Sequence, residues 1–128
     1  MKRNFIVIDH NKLDCFIAEK IIGGTENCEG VISFLEARKA LAYITETPPN
    51  EIITVLLVTI QMPIMNGFEF IEAFQKLPED IKKHYVAHMI SSSINESDLN
   101  RVHLYPSIKN FITKPLTKQS LNVLLANG

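Results

Sequence analysis

Long apolar runs, a dominant charge and a cysteine framework are all missing from these 128 residues, and each absence removes a class of protein. The longest apolar stretches, such as Ile52 to Ile60 broken by Thr54 and Thr59, fall far short of the roughly 20 residues a membrane-spanning helix needs. At the N-terminus Phe5-Ile6-Val7-Ile8 is closed by Asp9 before it reaches signal-peptide length, so a soluble, cytoplasmic chain is expected. Lys and Arg number 13 against 14 Asp and Glu, a formal net charge of −1, and no basic field draws the chain to nucleic acid or anionic lipid. Cys15 and Cys28 are the only cysteines and lack CxxC spacing, which excludes a disulfide framework or a zinc cluster and leaves two reduced core thiols. Internal repeats and low-complexity linkers are absent as well.

What is present is an alternation of strand and helix signals. At 46% hydrophobic, the chain can build one core and one domain, spanning residues 1–128. Phe5 to Ile8 reads as a strand buried on both faces. Asn11 can cap the following helix, with Asp14 in its first turn, and Leu13, Phe16, Ile17 and Ile21 recur at helical spacing until Gly23-Gly24. Gly30 to Ser33 is a weaker strand; Leu35 to Thr45 is a helix with Ala37, Ala40, Leu41 and Ile44 on one face, stopped by Pro48-Pro49. Val55 to Val58 is the clearest central strand, followed by turn chemistry at Met62-Pro63 and Asn66-Gly67 and a helix from Phe68 to Leu77. Val86 to Ile90 and Asn110 to Thr113 complete the strands, the segment Ser93 to Tyr105 is polar and weakly periodic, and Thr117 to Ala126 closes the chain as a helix.

Five strands alternating with five helices, joined by right-handed crossovers, give an α/β fold: a doubly wound (βα)5, flavodoxin-like three-layer sandwich with parallel strand order 2-1-3-4-5. Ligands of such sheets sit at the carboxyl ends of the strands, which here carry Asp9-His10, Thr59, Ser91-Ser92 and Lys114. No glycine-rich phosphate loop follows the first strand, which weighs against a small flavodoxin-like enzyme or cofactor-binding protein, the alternative reading.

The stretch Leu56-Leu57-Val58-Thr59-Ile60-Gln61-Met62-Pro63-Ile64-Met65-Asn66-Gly67-Phe68, together with Val7-Ile8-Asp9-His10-Asn11, Met89-Ile90-Ser91-Ser92 and Phe111-Ile112-Thr113-Lys114-Pro115-Leu116, resembles the receiver domain of response regulators in bacterial two-component systems. The resemblance covers essentially the whole chain. It implies a phosphoacceptor aspartate at the position of Thr59, a second acid at His10 beside Asp9 for a magnesium ion, a switch hydroxyl at Ser91, a phosphoryl-binding ammonium at Lys114, a switch aromatic at Phe111 and a cis bond before Pro115.

Two of these positions depart from the pattern. A threonine hydroxyl cannot form an acyl phosphate, and an imidazole is a poor exchange for a hard-oxygen magnesium ligand. One acid of three, Asp9, survives, so magnesium binding is expected to be weak or absent and Lys114 is expected to turn to Asp9 as its nearest counter-ion. Taken singly these residues have plain explanations: Asp9 as a turn residue, Lys114 as a surface charge, His10 as an exposed or hydrogen-bonded side chain, His84, His88 and His103 as incidental. Their order along the chain favours the resemblance. It implies a phosphorelay protein with no output domain and no enzymatic activity, unphosphorylated in the usual way, acting by contact with another signalling protein: a histidine kinase, a phosphotransfer protein or a downstream regulator. The partner face is expected around Asp98, Arg101, Val102, Phe111 and Gln119.

Overall fold

Strands that are apolar at every position need cover on both faces, and the chain provides it. The computed structural model describes residues 2–49, 51–93 and 95–127. Along the chain lie β1 (Arg3–Ile8), α1 (Lys12–Gly23), β2 (Cys28–Phe34), α2 (Ala37–Glu46), β3 (Thr54–Thr59), α3 (Gly67–Gln75), α4 (Glu79–Lys82), β4 (Tyr85–Ser91), α5 (Glu96–Val102), β5 (Ile108–Thr113) and α6 (Lys118–Asn127). The strands form one sheet in the order β2-β1-β3-β4-β5, with every pair parallel. The expected fold class and strand order are therefore those of the protein.

Side-chain alternation divides the core between the two faces. Ile6, Ile8, Leu56, Val58 and Met89 meet Ala37, Ala40 and Ile44 of α2, Phe68, Phe70, Ile71 and Phe74 of α3, and Val102 of α5. Phe5, Val7, Val55, Leu57, Ile90 and Ile112 meet Cys15, Ala18 and Ile22 of α1 and Leu121 and Leu124 of α6. β3 is buried at all of its positions, as a central strand in a three-layer sandwich must be.

Three helix starts are fixed by asparagine. Asn11 Oδ1 accepts the Asp14 N–H at 3.0 Å, and Asn95 Oδ1 accepts that of Asp98 at 2.8 Å. Asn66 and Glu69 make a reciprocal capping box, with both bonds at 2.9 Å.

α3 ends before Pro78, as expected, and Pro78 then caps a further short turn, Glu79–Lys82, that the sequence pattern did not announce. One expectation needs correction: the inward face of α1 is not the one its large apolar residues suggested. Leu13 is 65% exposed and Phe16 57%, whereas Cys15, Ala18 and Ile22 face the sheet. The short side chains of Cys15 and Ala18 let the helix lie close to β1, and Lys20 sits over the outward Phe16 ring, 5.4 Å from its centroid.

Candidate functional site

The carboxyl ends of β1, β3, β4 and β5 meet along one edge, at the point where the strand order reverses. Asp9 is buried there, and both of its oxygens are engaged. Oδ1 accepts the Asn11 N–H at 3.0 Å, and Oδ2 lies 2.5 Å from the Lys114 ammonium. The same ammonium donates to Asp14 Oδ2 at 2.9 Å, so Lys114 bridges β1 and the first turn of α1. Burial alone would depress the Lys114 pKa; the hydrogen bonds and charges of Asp9 and Asp14 outweigh it, and the pKa is raised above 10.5. The Lys114-Pro115 peptide bond is cis.

Thr59 ends β3 with its side chain buried, and its hydroxyl has no hydrogen-bond partner among the described residues. Gly67 comes so close to this strand end that a Cβ built on it would lie 2.4 Å from the Thr59 carbonyl oxygen. Ser91, also buried, is occupied locally: its hydroxyl donates to the Ser93 carbonyl at 3.0 Å and accepts the Ser93 N–H at 3.3 Å. His10 turns outward, its Nδ1 3.3 Å from the Leu35 carbonyl oxygen. Phe111 is half-buried and packs on the core under α3 and α5.

These groups do not compose a magnesium site. Mg²⁺ demands near-octahedral oxygen ligands. Here one carboxylate is already held by an ammonium and a backbone N–H, the imidazole faces away, and the third position offers a neutral hydroxyl. Among the described residues, no group of three or more His, Cys, Asp or Glu side chains is placed to hold a metal ion. The cavity between Asp9, Asp14, Lys114 and Pro115 measures about 20 Å³, room for about one water molecule.

Of the residues expected on a partner face, Asp98 and Arg101 line a groove of about 480 Å³ with Ile60, Gln61, Met62 and Phe68. The Arg101 guanidinium lies over the Phe68 ring, 4.3 Å from the centroid. Gln119 is exposed on α6. Val102 is corrected: it is only 7% exposed and belongs to the core, because α5 turns this position toward the sheet, so it cannot touch a partner.

Two residues carry more than the sequence suggested. Asp14 reads as a first-turn helix acid, yet its side chain reaches across to Lys114. The available signal was its place in the α1 first turn, which lies at the same sheet edge as Asp9. His88 is not incidental, since it is wholly buried in β4. The Asn110 amide faces its Nδ1 at 3.3 Å, which puts the ring proton on Nε2, an atom with no partner among the described residues. Burial, with smaller contributions from Arg3 and Lys109, lowers the His88 pKa to about 4.

Comparison with known proteins adds the last observation. No family model matches the chain. No curated protein matches it either. Among solved structures, a response regulator receiver protein from Dyadobacter fermentans DSM 18053 is 32% identical, with 96% of this chain and 94% of that one covered, at a TM-score of 0.87. A two component response regulator from Cytophaga hutchinsonii matches at 23% identity, 98% and 96% coverage, and a TM-score of 0.87. The Vibrio cholerae chemotaxis protein CheY4 matches at 17% identity, 98% coverage of both chains, and a TM-score of 0.79. The last two show the shared fold.

Proposed function

This chain belongs to the response regulator receiver family, and on that premise we propose that it serves two-component signalling as a pseudo-receiver, without phosphoryl chemistry of the usual kind. The observation that carries the reading is the pairing of a neutral, unpartnered Thr59 hydroxyl with an Asp9 carboxylate already taken by Lys114.

Phosphoryl transfer in such a pocket is almost entirely positioning and charge neutralisation, with little covalent chemistry to spare. An attacking carboxylate at position 59 would bring its own negative charge, form the new O–P bond of an acyl phosphate as the donor's bond to phosphorus breaks, and depart as a good leaving group only when water later hydrolyses that acyl phosphate. The Thr59 hydroxyl must first lose a proton, and no base is hydrogen-bonded to it among the described residues. With Asp9 held by Lys114, magnesium binding is weak or absent, and the protein has no cofactor and no catalytic turnover.

Its output is then contact with another signalling protein, a histidine kinase, a phosphotransfer protein or a downstream regulator, in the cytoplasm. The contact face comprises Asp98, Arg101, Phe111 and Gln119. A resting conformer can bind a partner without any phosphoryl trigger, since a partner stabilises whichever conformer it prefers.

The test is intact-mass measurement after incubation with acetyl phosphate and Mg²⁺. The wild type stays unmodified, Thr59→Asp is labelled weakly, and Thr59→Asp with His10→Asp is labelled substantially. A stoichiometric phosphoryl adduct on the wild type would end the proposal.

A further inference from the structure

We propose that Asp14 is a replacement counter-ion, and that the Lys114 ammonium bridged between Asp9 and Asp14 is the resident cation of this pocket, in the place where the rest of the family uses an external one. The inference rests on the pocket reading above and adds Asp14 to it.

The geometry supports it from three sides. The bridge links residues 100 positions apart, Asp14 at the start of α1 and Lys114 beyond the end of β5, and so ties two elements across the open edge of the sheet. The Lys114 side chain is 12% exposed and that of Asp9 6%, so this charge pair is largely withdrawn from water; a half-paired arrangement would leave an uncompensated buried charge. Asp14 is 32% exposed, so it adds a second contact to a lysine whose single charge Asp9 already balances, with the surplus negative charge left at the solvent-facing carboxylate at little desolvation cost.

With Thr59 contributing no charge, Asp9 alone would be the lysine's one partner on the strand ends. The second carboxylate restores the pairing that a carboxylate at position 59 would have given. An external divalent ion can enter only by displacing an ammonium that already makes both contacts, and it would find two carboxylates and no third acid.

Two variants separate a positioning role from a merely structural one. Lysine ammonium protons are seen by NMR only when they are hydrogen-bonded and shielded from exchange, so the wild type should show a slowly exchanging Lys114 signal that Asp14→Asn removes and that millimolar Mg²⁺ does not move. Lys114→Met, which empties the bridge while keeping the stem, should acquire Mn²⁺ binding at least about tenfold tighter than wild type, and adding Asp14→Asn should abolish the gain. Where Lys114→Met does not fold, the ammonium signal decides alone. An ammonium signal indifferent to Asp14→Asn, or displaced by Mg²⁺, overturns the inference; so does wild-type Mn²⁺ binding equal to that of Lys114→Met. Acetyl phosphate labelling bears on the pocket reading, whereas these measurements bear on Asp14, so the two can fail separately.

Discussion

Thr59 shows how much a single side chain can carry. Its hydroxyl is buried without a partner among the described residues, and such a group costs stability that an apolar group of the same shape does not. Thr59→Val should therefore raise stability by about 1 kcal/mol in urea unfolding, with no change in slope. His88 makes stability depend on pH. Its folded pKa of about 4 lies below its unfolded value near 6.5, so the unfolded chain binds the extra proton and stability falls as pH drops through that window. The loss approaches about 3 kcal/mol at the acid end. His88→Leu should flatten this part of the pH–stability curve; an unchanged slope between those limits would show that the ring is not held neutral. At this scale the sequence was partly legible. Thr59 and His10 stood out because each breaks a recognisable pattern. Asp14 and His88 did not, because a helix acid and a lone histidine look alike in sequence whether they face water or a buried partner.

The elements were legible where periodicity and capping agree. β3, the asparagine-capped α1 and α3, and the break at Pro48-Pro49 all follow from residues that allow little else. The large apolar residues of α1 do not mark its inward face: Leu13 and Phe16 point outward, while the close approach to the sheet depends on small Cys15 and Ala18. The β3–α3 connection is a tight junction. Gly67 donates its N–H to the Ile60 carbonyl at 2.8 Å, and an added Cβ would meet backbone that cannot withdraw. Gly67→Ala should cost on the order of 3 kcal/mol, read as a lower denaturation midpoint. Just before it, Ile64 sits at φ 70°, where a β-branched residue is strained, and its side chain is 71% exposed. Ile64→Gly should raise stability by about 1 kcal/mol, and an equal or lower midpoint would show that the turn is not strained.

At the scale of the whole molecule, the strand order and the two-sided core follow from alternation and right-handed crossovers, and 32% identity to a receiver protein places the chain in its family. What the sequence could not place was side-chain direction on α5, and so Val102 was assigned to the surface although it belongs to the core. With a partner in hand, Arg101→Glu and Phe111→Ala should each weaken binding measured by calorimetry, while Lys39→Glu, at an exposed position of α2, should not. Loss of binding through Lys39→Glu alone would move the contact face to α2.

The central claim, that this receiver fold holds its pocket without phosphoryl group or metal, is tested most directly by amide spectra recorded with beryllofluoride and Mg²⁺. The account predicts no shift at Asp9, Thr59, Ser91 or Lys114 at millimolar concentrations. A saturable, magnesium-dependent shift at those residues would contradict it.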